Sequence, residues 1–432
     1  MPDSRYRLSP YCVFWVDPGN QTAQLVHGLY GSRFEISIGL LRLLTELATG
    51  ISLEAAVARS PEGSGDAVQM LVEERILVPE AEAGELASQE LFRNRLTPLE
   101  LAFHRGVNEG GYLPEGITGS PPPPVATETG GTTVLLQLHR DVGTDIDLAA
   151  CLSGRRSIRS FGDKPLPRQQ LERFLQLAAR ADVLWESPGM GWVSLRNYPS
   201  GGARYPLEIY PVVYNVESLQ EGIYRYRPFS HSLEHLASRA EERASLVEVA
   251  QHRMAQSGTH GPAVLFIVAA VFARTCWKYR GMPYQAILME TGALYQTMYL
   301  AATALDLAPC AIGAFPELAT AEILRLDSRD VAQVGFFALG VADDSMPRRL
   351  HVTAARVVRP TPFSRNDDDR AIEFAFDDGS RQIMPAGELR VQRDEAGTLC
   401  FKVMRGRREA TIADNDFGEI LRVLDGERRP PT

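Results

Sequence analysis

Gly154-Arg155-Arg156-Ser157-Ile158-Arg159-Ser160-Phe161 is the stretch on which the reading of this chain turns. Arg155, Arg156 and Arg159 surround a small hydroxyl, and Phe161 offers an apolar anchor. An arginine fork meets oxygens two at a time, so the run suits a phosphate and the electron-rich edge of a flat heterocycle. A solvated basic face has the same composition. The run does not decide alone.

Two stretches downstream add to it. Tyr198-Pro199-Ser200-Gly201-Gly202-Ala203-Arg204-Tyr205-Pro206-Leu207 leads into an expected strand, Glu208 to Tyr214. Its paired glycines let a backbone approach a flat ligand, and they equally fit a tight loop. Leu288 to Leu307 reads as a helix apolar nearly all round, which places it in a domain or dimer core. It runs into Ala308-Pro309-Cys310-Ala311-Ile312-Gly313-Ala314-Phe315. Glu290, near its start, is unusual there and reads as a member of a buried network or as a ligand contact.

The rest of the chain bounds the function. At 432 residues, two or three domains are expected. A formal net charge of -9 argues against a nucleic-acid binder. The five cysteines form no CxxC pair, which fits a reducing compartment without disulfides or a zinc ribbon. His231 and His235 lack a third ligand at suitable spacing, so no metal site is expected. The start lacks a signal peptide, and the longest apolar run, Pro262 to Phe272, is too short to span a bilayer. A cytoplasmic protein without membrane attachment is expected.

Tyr11 to Val16 and Ala23 to Tyr30 read as strands around the turn Asp17-Pro18-Gly19-Asn20. Helical patterns follow at Ile36 to Ala48, Leu53 to Ala58 (with Ser52 as cap) and Asp66 to Glu74, then a strand at Ile76 to Val78. This order suggests a winged-helix-like module. Glu73 and Glu74 would meet phosphates poorly, whereas an exposed strand binds peptide readily. Glu85 to Val107 looks helical, and Pro121-Pro122-Pro123-Pro124 cannot continue a helix or a central strand, so it reads as a linker or extended arm. Short strands are expected at Ala371 to Phe376, Leu389 to Val391 and Leu399 to Val403.

The three stretches, in this order and at these separations, resemble the nitroreductase superfamily over about the middle half of the chain. The resemblance implies that Arg155, Arg156, Ser157 and Arg159 hold the phosphate, ribityl chain and pyrimidine edge of FMN. Pro199, Ser200 and Gly201 would line the ring, Ile312 and Gly313 would cover its other side, and Arg348 and Arg349 would supply late phosphate-binding bases. It also implies a homodimer.

Pro199 to Glu208 and Trp277-Lys278-Tyr279-Arg280-Gly281-Met282-Pro283-Tyr284-Gln285 look like the SagB-type (McbC-like) branch, as do the N-terminal module and Phe103-His104. Members of that branch oxidise azoline rings in ribosomally made peptides, and Lys278-Tyr279 matches its proposed catalytic pair. The resemblance implies a precursor peptide as substrate and a cyclodehydratase as partner. Dehydrogenating an azoline removes a hydride and a proton, and a lysine serves as the base only where burial lowers its pKa. Trp277 is expected to supply that burial, with Arg274 or Arg280 adding like-charge pressure. Cys276 and Cys310 are expected to pack near the flavin as small apolar residues.

The expected fold is α+β. A winged-helix-like peptide-recognition module (1–84) precedes a helical segment and Pro-rich linker (85–144). A nitroreductase-like FMN domain (145–352) follows, with a central antiparallel-rich sheet wrapped by helices, then a β-rich extension (353–432). The tail departs from the SagB-type pattern. Two other readings therefore stay open: a flavin oxidoreductase acting on a small molecule or another bond of a modified peptide, and a non-catalytic scaffold presenting a peptide.

Overall fold

The computed structural model describes residues 5–17, 19–28, 30, 32–47, 50–59, 65–83, 97–108, 111–112, 121–123, 130–140, 148–254, 260–313, 316–343, 349–358, 371–376, 381–385, 391–393, 399–405 and 408–412. The chain divides into two units. One is Met1–Gly119 with Cys276–Ala286, and the other is Ser120–Thr275 with Ile287–Thr432.

In the first unit β1 (Arg5–Leu8) opens one small sheet, and β2 (Cys12–Asp17), β3 (Thr22–His27) and β4 (Arg33–Ser37) form another. Helices α1 (Ile38–Glu46), α2 (Leu53–Arg59) and α3 (Gly65–Glu73) follow. Strands β5 (Ile51–Ser52) and β6 (Leu77–Pro79) flank β1, both antiparallel to it. The Ser37 and Ser52 hydroxyls accept from the Leu40 and Ala55 amides at 3.2 and 3.3 Å, satisfying first-turn donors of α1 and α2. Leu43, Leu44, Ala56, Val68 and Leu71 close one core with Leu25 and Ile36. Of the helix expected over Glu85 to Val107, the described part is α4 (Pro98–Asn108); β7 (Gly111–Tyr112) comes next.

The second unit is built on β14 (Val264–Val271), in the expected apolar run. Its Phe266, Val268 and Ala270 join a cluster with Leu171 and Phe174 of α6 (Arg168–Ala179) and with Leu294 and Met298 of α9 (Pro283–Ala304). Its Leu265, Ile267 and Ala269 alternate onto the other face, with Leu246 and Ala250 of α7 (Ala240–Arg253). A strand covered on both faces must be apolar at every position, which accounts for the unbroken apolar run. No described helix is long and apolar enough to cross a membrane.

Around β14 the sheet takes the order β16-β17-β14-β11-β12-β13-β8, with every pair antiparallel. These strands are β8 (Thr133–Leu135), β11 (Leu207–Val213), β12 (Gly222–Arg227), β13 (Ser232–Leu236), β16 (Ala308–Ile312) and β17 (Val331–Gly340). This is the antiparallel sheet wrapped by helices that the resemblance implied. Short α5 (Leu148–Gly154), α8 (Phe272–Cys276) and α10 (Glu317–Leu324) complete the helices. A separate hairpin pairs β9 (Ala181–Ser187) with β10 (Gly191–Arg196), and β15 (Tyr279–Arg280) pairs with β7 in the first unit.

Six strands make the C-terminal sheet: β18 (Arg349–Val358), β19 (Ala371–Phe376), β20 (Arg381–Pro385), β21 (Val391–Arg393), β22 (Leu399–Arg405) and β23 (Arg408–Ile412). Their order is β20-β19-β18-β23-β22-β21, with β18 and β23 parallel.

Candidate active site

The arginine run leaves α5 as extended chain and is pinned at three points. The Arg155 amide donates to the Cys151 carbonyl (3.0 Å), the Ile158 amide to Pro309 of β16 (2.8 Å), and the Gly162 amide to Val341 (3.0 Å). Phe161 is buried against Gly340, where a Cβ would come within 2.8 Å of its ring. A side chain at 340 would displace the anchor, and with it the run.

Helix α9 supplies the next contacts. The Tyr299 hydroxyl accepts from the Ala311 amide (2.8 Å) and shares a hydrogen bond with the Ser157 hydroxyl (2.7 Å). The Arg155 guanidinium lies 5.2 Å from the centre of the Tyr299 ring, a cation–π contact. Burial pushes the Cys310 thiol up, while a hydrogen bond from Arg159 and its charge pull it back. Arg155, Ser157 and Arg159 thus converge on the end of β16, beside Ile312 and Gly313. Arg156 turns back and donates to the Arg155 carbonyl at 2.7 Å. Ile312 is buried, whereas Gly313 is exposed and a Cβ there would meet nothing within 4 Å.

The loop from Pro199 to Tyr205 is set by the same helix. The Gly201 amide donates to a Glu290 carboxylate oxygen (2.9 Å), and the Tyr205 amide to the Ser200 hydroxyl (2.8 Å). Gly202 sits at φ 63° and Ala203 at φ 53°, a left-handed bend for which the glycine is suited. Pro199 is exposed and Ser200 half-buried.

Lys278 and Tyr279 belong to the first unit, in the segment Cys276–Ala286. Tyr279 pairs with Tyr112 across β15 and β7, and the Lys278 Nζ lies 5.5 Å from the centre of the Tyr279 ring. Trp277, Lys278 and Tyr279 are half-buried and Arg280 is exposed. Phe103, of the Phe103-His104 segment, meets Tyr284 edge-on at 6.1 Å. One expectation is corrected: Cys276 is exposed rather than packed. Arg274 directs its guanidinium to Glu208 and to backbone carbonyls. Arg348 and the side chain of Arg349 lie outside the described residues. His231 bonds the Tyr226 hydroxyl (2.8 Å), and the described residues hold no group of three or more His, Cys, Asp or Glu suited to a metal.

Residues 152–341 match the nitroreductase family. Over 196 residues the chain is 33% identical to MJ1384 of Methanocaldococcus jannaschii, named as a nitroreductase, covering 45% of this chain and 92% of that one. The chain belongs to the nitroreductase family. It is therefore an oxidoreductase by family, and the arginine run, the Ser200 loop and the end of β16 lie within the matched region. It is also 33% identical over 168 residues to the Escherichia coli microcin B17-processing protein McbC, covering 37% of this chain and 59% of McbC. A chain of the E. coli microcin synthetase McbBCD complex with truncated pro-MccB17 bound aligns at 26% identity and a TM-score of 0.36, covering 48% of this chain and 78% of that one.

Within this nitroreductase-family domain, Tyr299 is the site residue that sequence reasoning missed. Nothing local separates it from core, because its partners lie 12 and 142 positions away. Glu290 resolves into the anchor of the Gly201 amide. Burial pushes its carboxyl up to about 7, opposed by the Gly201 amide, the Ser200 hydroxyl and the Arg196 charge. The neutral acid is thus the form the fold favours. Its contribution is full below the unfolded value near 4.5 and is lost as pH rises through about 7, amounting to roughly 3 kcal/mol. Glu290→Gln, which stays neutral, is expected to lack this fall in urea unfolding measured at pH 5 and pH 8. An identical pH dependence in the two proteins would remove Glu290 as its source.

Proposed function

We propose that this protein is an FMN-dependent dehydrogenase that oxidises azoline rings to azoles in a ribosomally made peptide. The observation that carries the reading is the convergence of Arg155, Ser157 and Arg159 on Tyr299 and the end of β16, inside a nitroreductase-family domain. The donor set suits FMN: charged forks for a phosphate and a pyrimidine edge, and open space above Gly313 for a flat ring. Arg155, Arg156, Ser157 and Arg159 would hold phosphate, ribityl and pyrimidine. Pro199, Ser200 and Gly201 would line one face, Ile312 and Gly313 the other, with Arg348 and Arg349 as further phosphate bases. Bound FMN supplies an acceptor for a hydride, that is, for two electrons.

The chain's own residues then orient the peptide and move a proton. An azoline loses two hydrogens, one as hydride and one as a proton from the neighbouring ring carbon. Lys278 takes that proton, and its half-buried place beside Trp277 limits access by water. The Tyr279 hydroxyl holds the peptide by a hydrogen bond or relays the proton onward. Similarity to a microcin-processing protein supports a peptide substrate, and the N-terminal unit would recognise it. An azoline must first be made by a cyclodehydration, so a cyclodehydratase acts before this enzyme; a homodimer and a cytoplasmic location complete the reading.

A small-molecule substrate is the second reading. MJ1384 supports it, since the matched domain makes up 92% of that protein. Incubating the FMN-loaded protein with azoline-bearing peptides, followed by mass spectrometry, separates the two. A loss of two hydrogens from the peptide is expected. Unchanged peptides alongside brisk reduction of nitroaromatic compounds would favour the second reading.

A further inference from the structure

Pro121-Pro122-Pro123 lies outside the residues that match the family, yet two of its carbonyls accept from buried arginines. Arg204 and Arg274, 2% and 1% exposed, grip it. Arg204 Nη2 donates to the Pro122 carbonyl at 3.0 Å, and Arg274 Nε to the Pro123 carbonyl at 2.9 Å. The ring of Pro121 sits against Gly191, where a Cβ would overlap it.

The same two arginines hold the loop that follows Ser200. Arg274 Nη1 donates to the Tyr205 carbonyl (3.1 Å), and its Nη2 pairs with Glu208 Oε1 (2.5 Å). Arg204 Nη1 donates to the Met190 carbonyl (3.0 Å), and its Nε to the Arg274 carbonyl (3.4 Å). Burial and the neighbouring Arg274 charge push the Arg204 guanidinium down, so these donors need acceptors. Prolines supply acceptors only, since they lack an N–H, and an extended proline run leaves its carbonyls free at little cost in chain entropy. Moving the arm would leave buried guanidinium donors unpaired, which costs more than the hydrogen bonds themselves provide.

We propose that the Pro121–Pro123 arm is a working part of the flavin site: Arg204 and Arg274 are positioning residues that fix the Ser200–Tyr205 loop through the arm's carbonyls. This inference rests on the flavin reading above. Its consequence is reciprocal: displacing the arm weakens flavin binding, and bound flavin steadies the arm.

Two glycines of the β9–β10 turn make the test. Gly189 (φ 72°) and Gly191 (φ 65°) share the left-handed strain that alanine introduces, but only Gly191 abuts the arm, and a Cβ at Gly189 would meet nothing within 4 Å. Gly191→Ala is expected to raise the FMN dissociation constant at least fivefold and to change the visible circular dichroism of bound flavin. Gly189→Ala is expected to leave both at wild-type values, and Gly191→Ala to melt below Gly189→Ala while staying folded at the temperature of the titration. Equal FMN affinity and equal spectra in both variants would overturn the inference while leaving the flavin reading intact. A wild-type protein that takes up no FMN would remove both.

Discussion

Lys278→Ala is expected to slow azoline dehydrogenation by about 10²–10⁴-fold, the usual contribution of a positioned general base, while the protein stays yellow. The two effects separate because the arginine run, the Ser200 loop and Ile312, and not Lys278, are the residues proposed to hold FMN. Single-turnover reduction of the bound flavin by an azoline peptide reads the step directly. Lys278→Arg is expected to fail as well, since a guanidinium stays protonated and cannot accept the proton. Tyr279→Phe keeps the ring beside the Lys278 Nζ but removes the hydroxyl, so it isolates the relay or anchoring role. Wild-type turnover in Lys278→Ala would take the lysine out of the mechanism.

Arg155→Ala combined with Arg159→Ala is expected to weaken FMN binding by on the order of 10²–10⁴-fold, taking a charge-assisted hydrogen bond as about 1.5–3 kcal/mol. Arg156→Ala is expected to do less, because that side chain folds back onto the Arg155 carbonyl. The ranking follows from the structure, since the sequence presents three equivalent arginines. Fluorescence titration of the apoprotein with FMN measures both variants. A double variant that binds FMN within threefold of wild type would show that the run is only a basic face.

Much of the fold was legible because it is written in local pattern. The strand expected at Glu208 to Tyr214 is β11 (Leu207–Val213), and the apolar helix carrying Leu294 and Met298 lies in the core as expected. The arginine run stood out by charge density, and Glu290 because a carboxyl inside an apolar helix needs a donor. What stayed hidden are pairings between distant positions. Tyr299 looks like any core tyrosine until Ser157 and Ala311 are brought to it. The proline arm reads as a linker on correct grounds, since it forms neither helix nor strand. Its anchoring depends on arginines 82 and 151 positions downstream, and no local rule links them. The partners of Arg274 are equally remote, since its donors reach Glu208, Tyr205 and Pro123.

The arginine run, the Ser200 loop and the end of β16 are proposed to form one flavin site. The absorption spectrum of the purified protein, before and after denaturation, tests it most directly. A flavin spectrum is expected, with one FMN released per chain, or regained when the colourless protein is mixed with FMN. Protein that is colourless as isolated and takes up no FMN on reconstitution would contradict it.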